Sequence, residues 1–272
     1  MLLHTLLPAA LLFSSSVAGL AIPEPSSANS TLFERDLERR SSDGVITTCT
    51  KPKTFAMTFD DGPYQYGSTI ANYFTKHNVK TTFFVNGNNF DCIYDRADDL
   101  IARYKQGHQI ASHTWSHPDI STLTDAQLNG QLTFVETALK KILGVKPRFF
   151  RPPYGSYNAA NLRVLKSRGY KVVTWNFDSL DADGATAAQS IASFKKLEPG
   201  FPKTHISLDH ETHETTASKI VPTIVPRLIK DGWKLVTVAD CLGESPYQST
   251  GTPGKRDKTW TCAGTPAPGA AA

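Results

Sequence analysis

Along the chain, short runs of β-branched and aromatic residues alternate with stretches whose apolar positions recur every three to four residues. The strand-like runs fall at Lys53–Phe59, Lys80–Val85, Gln109–Ser112, Arg148–Phe150, Lys171–Phe177, His205–Leu208 and Lys234–Val238. Helical spacing marks Ser68–His77, Ala97–Tyr104, Asp125–Leu143, Ala159–Ser167, Thr186–Lys196 and Ser218–Lys230. The longest of these is the best punctuated, with Thr124 before it, Gln127 three residues on as in a capping box, and Gly144 at its end. Repeated β–α alternation predicts an α/β fold built on a mostly parallel sheet. With about seven strands and no glycine-rich dinucleotide fingerprint after the first, the expected architecture is a distorted (β/α) barrel, a single domain over residues 41–245.

Polar clusters follow the apolar runs at one end. The first run leads into Asp60-Asp61-Gly62-Pro63 and the third into His113-Thr114-Trp115-Ser116-His117. The fourth leads into Arg151-Pro152-Pro153-Tyr154, the fifth into Asp178-Ser179-Leu180-Asp181, and the sixth into Asp209-His210. All five sit at the carboxyl ends of their strands, the rim where barrel enzymes assemble a site from several strands.

The chain ends and the cysteines set the compartment. Residues 1–21 run from Met-Leu-Leu-His through an apolar stretch into small residues, the layout of a secretory signal peptide too short to span a bilayer. Residues 22–40 are rich in Ser, Pro and charge, carry the sequon Asn29-Ser30-Thr31 and end in Arg39-Arg40, the features of a pro-segment trimmed after the dibasic pair. The protein is therefore expected outside the cell, extracellular or wall-associated, with no membrane span. Cys49, Cys92, Cys241 and Cys262 all lie in the exported part, and an even count in an oxidising compartment predicts two disulfides. Closing a barrel puts its first and last strands side by side, which favours Cys49–Cys241 and leaves Cys92–Cys262. Residues 246–272 are rich in Gly, Pro and Ala and read as a C-terminal tail.

Charge adds little. Of 29 basic and 25 acidic residues, the first 40 positions hold three and four, so the remainder keeps a mild excess of about five positive charges. No Lys/Arg cluster accompanies it, which argues against nucleic acid as a partner. A neutral partner fits this balance as well, and a monomer is expected.

The clusters carry chemistry. His113 and His117, four apart, could present both imidazoles from one helical turn to a single ion. Two imidazoles with one carboxylate and an open position make a catalytic rather than a structural zinc site. Asp60-Asp61 can supply that carboxylate and leave a second acid free, and a bound cation would offset the cost of burying both. Arg151, stiffened by Pro152-Pro153, is placed to pair with a carboxylate. His210 is the candidate general acid, with Asp178 or Asp181 to keep it protonated and His213 as a competitor. His77 and His108 fall away from the rim and are assigned to the surface.

Taken in order, Thr58-Phe59-Asp60-Asp61-Gly62-Pro63, His113-Thr114-Trp115-Ser116-His117, Arg151-Pro152-Pro153-Tyr154-Gly155, Asp178-Ser179-Leu180-Asp181 and Leu208-Asp209-His210 resemble the five motifs of the carbohydrate esterase family 4 polysaccharide deacetylases, the NodB homology domain. The resemblance spans about residues 50–240, and the secreted context makes the chain most similar to fungal chitin deacetylases. It implies Asp60 as general base, with Asp61, His113 and His117 as ligands of Zn2+ or, alternatively, Co2+ or another divalent ion. It also implies Arg151 holding Asp60, an oxyanion donor in the Tyr154 N–H, His210 as acid tuned by Asp181, and Trp175 and Leu208 walling an acetyl pocket. The implied substrate is chitin or a chito-oligosaccharide, with acetylated xylan or peptidoglycan as alternatives and a catalytically inactive carbohydrate-binding or effector protein as the rival reading. One departure stands out: the fourth motif usually ends in an aromatic residue, and Ala182 stands there.

Overall fold

All seven strand-like runs form strands, and their interruptions give the barrel its distortion. The computed structural model describes residues 43–197 and 203–272; the expected signal peptide and pro-segment lie outside the described residues. The first run breaks at Met57 into β1 (Thr54–Ala56) and β2 (Thr58–Gly62). Then come β3 (Thr82–Val85), β4 (Gln109–Ser112), β5 (Val145–Pro147), β6 (Phe149–Phe150), β7 (Lys171–Val172), β8 (Phe177–Asp178), β9 (His205–His210), β10 (Lys234–Leu235) and β11 (Tyr247–Thr250). Among the described residues seven α-helices intervene: α1 (Gly67–Lys76), α2 (Ala97–Lys105), α3 (Asp125–Leu143), α4 (Ala159–Ser167), α5 (Ala187–Phe194), α6 (Val221–Lys230) and α7 (Val238–Leu242). The capping box at Thr124 and Gln127 is formed, and Gly144 takes the left-handed conformation that ends α3.

The main sheet is parallel and runs β10-β1-β9-β2-β3-β4-β6-β7, with β8 on β9. Two broken runs close it. Strand β9 pairs along one edge with both halves of the first run, Phe55↔His205 and Asp60↔His210. Along its other edge it takes β8, Phe177↔Ser207. Strands β7 and β8 belong to one stretch of chain, and β7 pairs with β6, so the circuit is complete. Strand β10 fills the wall beside β1, Thr54↔Lys234, where the Lys80 N–H reaches the Leu235 carbonyl at 3.5 Å.

Alternation along each strand separates two faces. Phe55, Phe59, Phe83, Val85 and Ile110 point outward into one core with Ile70 and Phe74 of α1, Leu100 of α2, Leu139 of α3 and Ile224 and Leu228 of α6. Leu128 and Leu132 of α3 join Val164 and Leu165 of α4 over Phe150 and Val172. Pointing inward, Ala56, Phe84, Ala111, Phe149, Val173 and Ile206 form the apolar floor of the barrel. The next inward positions towards the carboxyl ends are Thr58 and Asp60, His113, Arg151 and His210, all polar, and the apolar Leu208.

Two sequence expectations change here. His108, assigned to the surface, is buried: Nε2 lies 3.0 Å from both the Ala71 carbonyl and Thr75 Oγ1, and Nδ1 takes the Thr81 N–H at 3.4 Å. Burial pulls its pKa down to about 4, so it is a neutral core imidazole. The segment after residue 245, tail-like in composition, carries β11, which pairs antiparallel with β5.

The disulfides are Cys49–Cys241 and Cys92–Cys262, the first joining the chain before β1 to α7 just after its neighbour β10. Because this bridge spans 192 residues, replacing both cysteines by serine should cost about 2–5 kcal/mol, read as a lower urea midpoint against the parent.

Candidate active site and metal centre

The five polar clusters meet on the rim. Asp61 follows the last inward position of β2 and takes a left-handed φ of 70°, which turns its carboxylate from the barrel axis towards the loop after β4. That loop, 113–117, is not a helical turn. Left-handed Thr114 and His117, at φ of 69° and 60°, fold it back so that both imidazoles face Asp61. His117 Nε2 lies 3.1 Å and His113 Nε2 3.5 Å from Asp61 Oδ1.

A ligand atom from each of Asp61, His113 and His117 falls within 4.8 Å of the others. Two observations fit this group to a cation. The buried Asp61 Oδ1 accepts no hydrogen bond although two ring nitrogens lie beside it, as expected of donors converging on one point rather than bonding to one another. The Nδ1–H of His113 donates to the Arg151 carbonyl at 2.8 Å, which fixes the tautomer with the Nε2 lone pair towards the site, a common outer contact of metal-binding histidines. Burial alone would raise the Asp61 pKa; the two imidazoles more than offset this and hold it well below the usual carboxylate range.

Asp60 points inward beside this group. Its Oδ1 accepts from the Arg151 guanidinium at 2.8 Å, and its Oδ2 is 3.9 Å from His113 Nε2. Arg151 has no exposure to water. It also donates to Thr58 Oγ1 at 2.7 Å and the Thr174 carbonyl at 3.1 Å, and its Cζ lies 4.2 Å over the Phe84 ring. Burial lowers its pKa and the Asp60 charge works against that.

Across the rim, His210 Nδ1 donates to Asp181 Oδ1 at 2.7 Å, and Asp181 Oδ2 accepts from the His210 N–H and from Thr216 Oγ1. Of the two carboxylates open to His210 in the sequence, the structure brings up Asp181; Asp178 accepts from the Leu180 N–H. His213 stacks edge-on 5.8 Å from the His210 ring. Burial disfavours the imidazolium of His210, but Asp181 first, then Asp61 and Asp60, raise its pKa to about 9. Asp181 is held correspondingly low against its own burial, chiefly by His210.

Tyr154 takes φ 59° and φ 66° follows at Gly155. Its N–H meets no acceptor among the described residues, and its ring stands 4.7 Å from His117, largely exposed. Trp175 lies beside Arg151, 5.6 Å from its Cζ, and against Gly155, where a Cβ would come 3.0 Å from the indole. Leu208 lines the inward face of β9. Ala182 is exposed and leaves the rim open at that point.

Several supporting residues escape sequence reasoning. Glu211 and Arg103 form a fully buried ion pair at 2.7 Å, and Glu211 also accepts the Tyr64 N–H. The pair fastens the turn after Asp61 to the end of β9; a Cβ at Gly62 would sit 2.1 Å from the Glu211 carboxyl, which is why that position is glycine. Asn86 donates to the carbonyls of His113 and Thr114. The stretch Asn86-Gly87-Asn88-Asn89 was a readable signal, a polar cluster at the carboxyl end of β3 like the five others. Arg103 lies in the last turn of α2, where basic residues are common, and gave none.

A parallel barrel whose rim gathers two imidazoles and one carboxylate around one point, with a second carboxylate beside them, is the framework of a metal-dependent hydrolase. The family model for polysaccharide deacetylase matches residues 47–173. A chitin deacetylase of Pestalotiopsis sp is 39% identical over 247 residues, covering 88% of this chain and 79% of that one. Against a chitin deacetylase of Arthroderma benhamiae, 37% identical, the chain spans about half the relative's length, 54%. Among solved structures, the chitin deacetylase of Colletotrichum lindemuthianum superposes with a TM-score of 0.72 at 32% identity, covering 75% of this chain and 93% of that one. The Bc1960 peptidoglycan N-acetylglucosamine deacetylase superposes with a TM-score of 0.68 at 26% identity, covering 75% and 95%. The chain belongs to the polysaccharide deacetylase family, whose members are metalloenzymes.

In the metal-free protein, NMR should find His210 titrating near 9, protonated below that value and neutral above it. Asp181→Asn should lower it by about one to three pH units, since the neighbouring charge that favours the imidazolium is gone. A His210 that titrates unchanged in that variant would deny the coupling.

Proposed function

We propose that the protein removes N-acetyl groups from N-acetylglucosamine units of chitin or chito-oligosaccharides, giving chitosan and acetate, with Zn2+ held by Asp61, His113 and His117; Co2+ or another divalent ion is the alternative occupant. The convergence of Asp61 Oδ1 with two imidazole Nε2 atoms at 3.1 and 3.5 Å beside an arginine-held Asp60 carries this reading. The relatives named chitin deacetylases support the substrate. A peptidoglycan N-acetylglucosamine substrate is the second reading, favoured by the match to the Bc1960 enzyme. Acetylated xylan is the ester alternative. The secreted chain is trimmed after Arg40 and works as a monomer.

A divalent cation bound at this site supplies Lewis acidity towards a water and the acetamide carbonyl. The chain's own residues do the rest. Asp60, oriented through Oδ1 by Arg151, takes the water's proton on Oδ2. The Tyr154 N–H donates to the oxygen that gains charge as the carbonyl carbon becomes tetrahedral. His210, protonated through Asp181, gives its Nε2 proton to the leaving amine. Trp175 and Leu208 enclose the acetyl methyl, and the exposed Ala182 leaves the sugar side unwalled where relatives usually place an aromatic ring.

His113→Ala and His117→Ala should each lose tight Zn2+ binding and activity together. A full equivalent of zinc in either purified variant, measured by elemental analysis, refutes the ligand set. His210→Ala should keep its zinc and lose roughly two to four orders of magnitude in turnover, with a smaller loss on an acetate ester, whose alcohol needs protonation less than an amine does. Equal slowing of ester and amide rules out the acid role. Acetate released side by side from chitin oligomers, peptidoglycan and acetylated xylan decides the substrate.

A further inference from the structure

The loop that carries both histidines is bonded on its far side to a segment no catalytic role has claimed. Gln131, on α3, has no exposure to water. Its Oε1 accepts the N–H groups of Trp115 at 2.8 Å and Ser116 at 2.9 Å, the two residues directly before His117. Its Nε2 donates to Ser116 Oγ at 2.7 Å and to the Ala270 carbonyl at 3.0 Å. Every donor and acceptor of the amide is thereby used, two of them on backbone groups of one loop.

The stretch 263–270 completes this arrangement. Ser116 Oγ donates to the Ala270 carbonyl at 2.6 Å, the Gly269 N–H bonds the Ser116 carbonyl, and Trp115 Nε1 donates to Thr265 Oγ1 at 3.0 Å. Asn88 Nδ2 reaches the Pro266 carbonyl at 2.9 Å. Cys262, bridged to Cys92, fixes where the stretch begins. Between Thr114 and His117, both left-handed, the two intervening residues are thus bonded through backbone and side chain on both sides.

We infer that Gln131 and residues 263–270 form a brace that sets His117 against Asp61 and His113, and so raises the affinity of the site for its divalent ion. The inference rests on the metal-site reading above. The physical reason is conformational. Left-handed backbone at two non-glycine residues is strained and persists only where surrounding structure over-determines it. With the brace gone the loop samples other conformations, and the ligand geometry must be recovered at the expense of binding free energy. Gln131 and the 263–270 stretch are positioning elements, since none is a ligand.

Two variants of the mature protein test it: Gln131→Met, which removes all four bonds, and deletion of residues 265–272, which leaves the Cys92–Cys262 bridge in place. Zn2+ affinity is measured by competition with a chromophoric chelator, alongside the melting temperature of the metal-free form and turnover at saturating zinc. Each variant should bind zinc about 10–100-fold more weakly, recover most of its turnover when zinc is in excess, and still unfold cooperatively without metal, at a melting temperature lowered by the buried bonds it has lost. The double variant should lose less than the product of the two losses, because both act through Ser116. Either variant that folds and binds within twofold of the parent overturns the brace. A parent that binds no zinc, or a His117→Ala protein that binds as the parent does, overturns the metal site itself and the brace with it.

Discussion

The site depends on a charge buried without water. Arg151 sits in the barrel over the Phe84 ring, and among the described residues its hydrogen bonds go to Asp60, Thr58 and the Thr174 carbonyl. Removing a guanidinium from water costs several kcal/mol unless its donors are met, so the carboxylate of Asp60 is fixed as firmly as the arginine is. The Arg151 carbonyl meanwhile takes the Nδ1–H of His113. One residue therefore orients the proposed base by its side chain and a proposed ligand by its backbone.

This arrangement follows from a single face of the sheet. Inward positions are apolar low in the barrel, at Ala56, Phe84, Ala111, Phe149 and Ile206, and two residues later the same face offers Thr58, Asn86, His113, Arg151 and Leu208. The floor excludes water and keeps the local dielectric low, which strengthens the charge pairs standing on it. At the rim the chain leaves strand geometry through left-handed residues at Asp61, Thr114, His117, Tyr154 and Leu180. Strain of this kind clusters at functional sites, and here buried contacts hold it: Glu211 with Arg103 behind Asp61, Asn86 and Gln131 behind the histidine loop.

Two histidines, one in the core and one at the site, behave oppositely because their surroundings differ. His108 is buried among neutral groups with Lys80 and Arg103 nearby and is pulled down to about 4, while His210, also largely buried, faces carboxylates and is raised to about 9. Burial is common to both; the neighbouring charge decides the sign.

Periodicity fixed the parts. The alternation of runs placed seven strands and six helices within a few residues, because each element's apolar face must match its own repeat. The five clusters after those runs named the rim, since side chains at strand ends are the ones a barrel gathers together. The cysteine pairing was legible because closure makes β1 and β10 neighbours. Other features had no local signal. His113 and His117 converge through two left-handed residues rather than the helical turn their spacing allowed. Asp181 rather than Asp178 reaches His210, though the two are three residues apart, Asp178 ending β8 and Asp181 in the loop after it. His108 is buried despite a polar sequence neighbourhood, and a Gly/Pro/Ala-rich segment becomes part of the wall behind the histidines. Each of these depends on a partner 15 to 154 residues away in the chain, and such distances are set by packing, not by the pattern along the sequence.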